Sequence, residues 1–188
     1  MTNIVTEVPV PQRMAAMPKY RGFPVPFFAA VIDGVPDFRV ADVSKKSQSA
    51  IKKLCWICGQ KIRYPEKFCF VGGPISTHYR LFGDGPMHIE CAEFSLKICP
   101  YLLHDNAKRA EFAKIAARFE NKPGIVIEEP GHTLDHPDWF YLCYAPSYEF
   151  LFVREVGHKV FQAEVFDQID KWKNGKMIKS NIDSSEIV

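Results

Sequence analysis

Two short pairs of metal-ligating side chains stand out in the sequence. Cys55 and Cys58 lie three positions apart and are followed by Gly59, and His88 and Cys91 repeat the same spacing further along. Two thiolates at this spacing on a tight turn can bind one ion, and Gly59 permits the turn. Zinc takes four nitrogen or sulfur ligands in a tetrahedron, and three cysteines with one histidine are a common structural set. The pattern therefore predicts one structural Zn²⁺ bound by Cys55, Cys58, His88 and Cys91.

The local settings of the two pairs predict a fold around the metal. The first pair follows a predicted helix and precedes a predicted hairpin. The second pair begins a helix, where the helix dipole and free N–H groups favour the thiolate of Cys91. A knuckle, a hairpin and a helix that supplies the last ligands are the order of a treble-clef zinc finger. Four protein ligands leave no open coordination position, so we expect the ion to be structural rather than catalytic.

Other interpretations of the cysteines remain open. The four residues could be reduced core cysteines and a chance histidine. A Cys-x-x-Cys pair is also typical of thioredoxin-like redox sites, although there the pair begins a helix that follows a strand. Cys69, Cys99 and Cys143 are predicted to be small core residues, and each is an alternative ligand if one of the four is wrong.

His78 is the residue in this region that could carry out catalysis. The treble-clef fold is shared with His-Asn-His nucleases, whose general-base histidine lies on the hairpin. Such an enzyme also needs a metal-binding histidine on the following helix, and residues 89–99 contain none. We therefore expect His78 to be a surface or hydrogen-bonded histidine, with a nuclease as the alternative.

Residues 44–67, on both sides of the first cysteine pair, are strongly basic and contain a single carboxylate, Glu66. Such a run is typical of a solvated helix face, but with Trp56, Tyr64 and Tyr79 nearby it is also typical of a nucleic-acid-binding surface. The candidate partner surface consists of Lys45, Lys46, Lys52, Lys53, Lys61, Arg63 and Lys67.

The elements that must position these residues follow from turn signals and periodicity. Asp33-Gly34 predicts a tight turn between strands at residues 27–32 and 38–40. Asp42 is the expected cap of a helix over residues 42–54. Its predicted core face is Val43, Ser47, Ala50, Ile51 and Leu54, and its predicted solvent face is Lys45, Lys46, Lys52 and Lys53.

The rest of the chain alternates predicted strands and helices. In order, these are a hairpin (68–73 and 75–82), a helix (88–98), a second helix (105–120), an acidic loop (124–138) and a C-terminal hairpin (139–144 and 150–153). Residues 160–173 fit either a strand or a helix.

Length and composition predict a single folded domain. The chain has 188 residues, of which 47% are hydrophobic and 13% aromatic, which is enough to bury a core. We expect an α+β fold with a treble-clef zinc finger core, flanking N-terminal and C-terminal β-hairpins, and two or three helices. The expected division is a flexible arm (1–19), one zinc-containing domain (20–179) and a flexible tail (180–188). Within the domain, we expect a hairpin and helix (20–54), the zinc module (55–103), and a helix plus hairpin (104–179).

The sequence also predicts the compartment. It contains no run of about 18 apolar residues that could span a membrane, and its N-terminus lacks the pattern of a secretory signal. The net charge of +2 points to no particular partner. We expect a cytoplasmic protein, with no membrane partner and no small-molecule cofactor.

Several motifs together carry a resemblance. They are Arg21-Gly22-Phe23-Pro24-Val25-Pro26-Phe27-Phe28, Cys55-Trp56-Ile57-Cys58-Gly59, Phe70-Val71-Gly72-Gly73-Pro74, Pro86-Met87-His88-Ile89-Glu90-Cys91-Ala92-Glu93 and Cys99-Pro100-Tyr101-Leu102. This set resembles a family of uncharacterised proteins found in bacteria and bacteriophages, over about residues 20–103. That resemblance supports the zinc ligands, implies a phage or mobile-element origin and therefore a bacterial host cell, and supplies no substrate.

The function that these observations favour is a non-enzymatic, zinc-stabilised binding protein that engages a host protein or a nucleic acid. A protein partner is slightly favoured, because no base-reading motif is complete. The alternatives are a His-Asn-His-like nuclease that uses His78 and a DNA- or RNA-binding regulator that uses residues 44–67.

Overall fold

The computed structural model of the protein describes residues 8–105, 107, 116–117, 136–155 and 157–187. These residues form an α+β fold, as predicted. The predicted second helix (105–120) and most of the acidic loop (124–138) lie outside the described residues. None of the helices in the described part has the length and apolarity needed to cross a bilayer.

The described strands form four antiparallel sheets, with the orders β1-β2, β3-β4, β11-β10-β7-β5 and β6-β9-β8. The strands are Lys19–Tyr20 (β1), Phe23–Pro24 (β2), Ala29–Ile32 (β3), Val35–Ala41 (β4), Phe68–Gly72 (β5), Leu81–Phe82 (β6), Phe140–Ala145 (β7), Tyr148–Val153 (β8), His158–Ala163 (β9), Gln168–Lys173 (β10) and Lys176–Lys179 (β11). The helices are Val43–Lys52 (α1), Pro74–Tyr79 (α2), Ile89–Ile98 (α3) and Pro100–Leu103 (α4), with 3-10 helices at Gln12–Met14 and Ser184–Glu186. Of residues 160–173, which fitted strand or helix, 160–163 belong to β9 and 168–173 to β10, and residues 164–167 connect the two strands.

The N-terminal hairpin is confirmed. Strands β3 and β4 pair around Asp33 and Gly34, whose φ angles are 49° and 79°. Two central residues with positive φ are the mark of a type I′ turn, which matches the twist of the strands that it joins. Segment 27–28, just before β3, bonds to the cysteine knuckle, because Phe27 N–H donates to Ile57 O at 2.7 Å.

Helix α1 begins where Asp42 predicts, but its buried face differs from the predicted one. The Asp42 side chain accepts from the N–H of Ser44 and caps the helix. Lys46 and Ser49 are buried, whereas Ile51 is 80% exposed. The outward position expected for Lys46 is therefore wrong. The rest of the protein packs against a different face of α1 from the one that the apolar residues of the helix indicated.

The predicted returning strand at residues 75–82 is wrong. Pro74 takes the first position of α2, where its missing N–H and fixed φ favour a helix. The helix ends at Arg80 in the left-handed conformation, and only β6 is extended. Strand β5 pairs with β7, and β6 pairs with β9.

The predicted C-terminal hairpin is also wrong, although both of its strands exist. All six residues of β7 are buried, and both edges of this strand are occupied, by β5 and β10. Strand β8 leaves after Pro146 and Ser147 and pairs with β9 in the three-stranded sheet. Aromatic rings fill the core around the four-stranded and three-stranded sheets. Phe70 stacks on Phe82 with 4.8 Å between the ring centres, and the rings of Phe150 and Phe161 are also 4.8 Å apart.

The described parts of the predicted arm (1–19) and tail (180–188) pack on the core. Met14 is 1% exposed, and the amide of Gln60 donates to Arg13 O at 2.8 Å. In the tail, Ile182 is 5% exposed, and its N–H donates to Ile169 O at 2.8 Å. Isolated apolar residues in these polar segments anchor them to the core.

Candidate metal centre

The first cysteine pair lies on a tight knuckle closed by the backbone. Leu54 and Lys61 form an isolated bridge across its base. Cys55 N–H donates to Gln60 O at 2.8 Å, and Gly59 N–H donates to Cys55 O at 2.9 Å. Gly59 has a φ of 70°, which a residue with a side chain adopts only with strain. The role predicted for Gly59 in the turn agrees with this geometry.

The second pair lies at the start of α3. Met87 pairs with Cys69 of β5 through two backbone hydrogen bonds, of 2.8 and 3.0 Å, and this brings the chain back to the knuckle. His88 is the N-cap residue of α3, and Cys91 lies in its first turn. A strand residue and a helix start thus place the two ligands opposite the knuckle.

The structure brings the four predicted ligands together. Their Sγ atoms and a His88 ring nitrogen all lie within 4.8 Å of one another, and Cys58 Sγ lies 3.3 Å from His88 Nδ1. Ligands of one tetrahedral zinc are about 3.5–3.8 Å apart, given Zn–S near 2.3 Å and Zn–N near 2.0 Å. Cys55 and Cys91 are fully buried and His88 is 1% exposed. These side chains could hold one metal ion, and the donor set fits structural zinc.

Backbone groups also point at the sulfur atoms. The N–H groups of Cys58 and His88 both donate to Cys55 Sγ at 3.5 Å. Both bonds direct partial positive charge at a sulfur atom that is fully buried. They hold Cys55 Sγ in place between the knuckle and the start of α3.

The hydrogen bonds within the cluster shift the pKa values of two of its thiols in opposite directions. Bonds with Cys55 and Cys91 lower the pKa of Cys58, whereas bonds with Cys55 and Cys58 raise the pKa of Cys91. Burial lowers the pKa of His88, but bonds with the Cys55 and Cys58 sulfurs outweigh this effect and raise it to about 10. Zinc binds deprotonated ligands, so binding of the ion at this cluster releases protons.

Sequence analysis missed the side chains that surround His88. Glu66 Oε2 lies 3.7 Å from His88 Nε2, a buried atom with no hydrogen-bond partner in the described structure. Arg13 forms ion pairs with Glu66, at 2.9 Å, and with Glu90 of α3. A carboxylate beside the second ring nitrogen of a ligating histidine orients the ring and raises its basicity. Glu66 therefore lies where a supporting carboxylate of a metal site belongs.

A groove of about 540 Å³ opens beside the knuckle. One wall is the C-terminal end of α1 and the other is the segment that follows Gly59. Lys52, Lys53, Lys61 and Arg63 line it, together with Tyr64, which is 99% exposed. Four of the seven predicted surface cations thus line one groove.

The other predicted surface cations are engaged elsewhere. Lys45 Nζ donates to Ala29 O at 2.5 Å, and burial lowers its pKa. Lys46 is buried. Lys67 forms an ion pair with Asp167 at 2.6 Å. We therefore place the candidate surface on the four cations that line the groove.

The remaining chemical candidates lie apart from the metal cluster. His78 is on helix α2 rather than on a hairpin, and its exposed ring lies 4.9 Å from the ring of Tyr79. Cys69 and Cys143 are buried in β5 and β7, and Cys99 is half-buried at the end of α3. Within the described residues, the metal-binding group includes none of these four side chains.

Comparisons with known proteins supply no relative for this chain: no family model, no curated protein and no solved structure matches it.

Proposed function

We propose that this protein is a zinc-stabilised, non-enzymatic binding module, which engages a host protein or a nucleic acid through the groove beside its knuckle. One observation carries the proposal: four cations line an open groove whose walls directly flank the metal ligands. The same short segment, residues 52–63, thus carries two of the candidate zinc ligands and the four cations of the candidate partner surface.

Zinc would stabilise this groove by tying its walls to the core. Cys55 and Cys58 hold the knuckle between the two walls, and His88 and Cys91 belong to α3. An ion bound to all four residues would crosslink the knuckle to the helix, and structural zinc supplies folding free energy on the order of 10 kcal/mol in zinc peptides. Since its four positions are filled by protein, such an ion does not activate water.

A treble-clef core is part of the proposal. The knuckle and the ligand-bearing helix α3 support it, as does the bridge between Cys69 and Met87, which corresponds to a hairpin reduced to one residue pair. Helix α2 and strand β6 then form an insertion between the two sides of that hairpin.

The biological setting is proposed from the sequence motifs. Their resemblance to a bacterial and bacteriophage family supports a phage or mobile-element origin, and zinc thiolates require the reducing conditions of a cytoplasm.

Capture from a bacterial lysate tests the groove as the binding surface. Immobilised zinc-loaded protein is compared with a Lys52→Glu/Lys61→Glu variant and with a Lys19→Glu/Lys176→Glu control, which has the same net charge and alters exposed lysines elsewhere. We expect a macromolecule that the protein and the control retain and the groove variant loses. Identical retention by all three proteins would contradict the proposal.

A further inference from the structure

We infer that the groove binds single-stranded nucleic acid, with phosphates on its four cations and an unpaired base on Tyr64. This inference rests on the proposed function and names the partner class of the same groove.

The charges of the groove are available to an anion. Within the described structure, Lys52, Lys53, Lys61 and Arg63 form no ion pair. Among the described residues, the only carboxylate that lines the groove is Glu66, which faces Arg13 at 2.9 Å and accepts from the N–H of Arg63 at 3.0 Å. Its charge is thus engaged by neighbours, and the groove presents a net positive charge.

The C-terminal end of α1 does not cancel the positive charge of the groove. The last carbonyls of a helix carry partial negative charge, which disfavours a phosphate nearby. Here the hydroxyl of Tyr148 donates to Ala50 O at 3.1 Å, and the N–H of Lys53 donates to Ser49 O. These contacts satisfy carbonyls at the end of the helix, while Lys52 and Lys53 carry positive charge at the same place.

Tyr64 distinguishes a nucleic acid from other anions. Its side chain is 99% exposed, so the core does not explain its position. Ile51, 80% exposed, also lines the groove, and Phe68 lies at its base. A flat aromatic ring beside phosphate-binding cations is the platform on which proteins stack bases. An acidic peptide without aromatic residues, such as poly-glutamate, would use the cations but has no flat ring to stack on Tyr64.

The groove favours a single strand over a duplex. The bases of a duplex are stacked on one another, and sequence reading there needs a helix or ribbon that enters the wide major groove. Here Tyr64 lines the groove, and its side chain is almost fully exposed. Only an unpaired base can present its face to Tyr64.

The test uses purified zinc-loaded protein and fluorescein-labelled oligonucleotides, with binding followed by fluorescence anisotropy. Twelve-residue oligo(dT) and oligo(U) are compared with a duplex of the same length and with poly-glutamate. We expect both single strands to bind more tightly than the duplex or poly-glutamate, and the difference between the two strands reports the combined contribution of the ribose hydroxyl and the thymine methyl group. Four phosphate contacts predict a slope of about −3 for log K against log salt.

Variants assign the binding to the groove. Tyr64→Leu is expected to weaken single-strand binding about 5- to 140-fold, the range for loss of one stacked base, whereas Tyr64→Phe keeps the ring and the affinity. Lys52→Gln/Lys61→Gln should make the salt slope shallower by about 1.4, and Lys19→Gln/Lys176→Gln should not. Because Tyr64 is fully exposed, neither of its variants alters the fold.

Three results would overturn the inference. These are equal affinity for oligonucleotides and poly-glutamate, tighter binding of the duplex, or unchanged affinity of Tyr64→Leu. If purified oligonucleotides fail while the groove still captures a macromolecule from lysate, the inference falls and the binding module stands. If that capture also fails, both fall.

Discussion

Gly59 links the backbone of the knuckle to its packing, and its replacement tests both. A Cβ at this position would lie 2.9 Å from Phe27 Cδ2 and 3.1 Å from Phe27 Cγ. The left-handed backbone costs a residue with a side chain about 1–2 kcal/mol, and overpacking costs about 1–3 kcal/mol more. Gly59→Ala is therefore expected to lower the free energy of unfolding by about 2–5 kcal/mol.

Gly34→Ala is the matched control, because it isolates the backbone contribution. Gly34 has a φ of 79°, and nothing lies within 4 Å of a Cβ built there, so we expect a loss of only about 1–2 kcal/mol. Both variants are unfolded in urea at fixed free zinc, with reductant, while the fluorescence of buried Trp56 is followed. If Gly59→Ala loses no more than Gly34→Ala, the close contact between the knuckle and Phe27 is wrong.

Two further predictions concern buried or supporting carboxylates. Glu66→Gln should weaken zinc binding about tenfold in a chelator competition, the lower end for loss of a supporting carboxylate. Glu93→Gln on α3 should leave zinc binding unchanged. Equal losses of zinc affinity in the two variants would show that Glu66 does not support the site. Asp170, 2% exposed, accepts hydrogen bonds from Ser180, Gln168, Asn181 and Tyr144, and those bonds outweigh burial and hold its pKa below its usual value. Its contribution is therefore complete above the unfolded pKa of about 3.9 and is lost as the pH falls through the folded pKa. Asp170→Asn should cost about 1–3 kcal/mol at pH 7, and its difference in stability from the unchanged protein should narrow as the pH falls below about 4; a difference that stays constant below that pH would contradict this assignment.

The metal ligands could be predicted from the sequence because each pair is local. Cys55 with Cys58, and His88 with Cys91, need only a turn or a helix start, and three-residue spacing encodes both. Glu66 and Arg13 could not be found in the same way. Arg13 contacts Glu66 and Glu90 near His88, and these two residues lie 53 and 77 positions further along the chain. No local sequence pattern marks such contacts.

The strand errors have a related cause. Existence of a strand is a local property, whereas its partner is set by the whole sheet. The apolar segment 139–144 was predicted as a strand, and β7 covers residues 140–145, but the pairing of this strand with β5 and β10 depends on distant segments. In contrast, Pro74 is a local signal for the start of a helix. The strand prediction for residues 75–82 gave more weight to the apolar residues of that segment.

Zinc content tests the central claim of the account most directly. Purified protein, analysed by inductively coupled plasma mass spectrometry, is expected to hold one zinc per chain, to lose it in Cys91→Ser, and to keep it in Cys99→Ser, which changes a cysteine outside the cluster. Loss of the ion should also unfold the knuckle and α3, because a structural site supplies folding free energy. Full zinc occupancy in Cys91→Ser, or no zinc in the unchanged protein, would contradict the account.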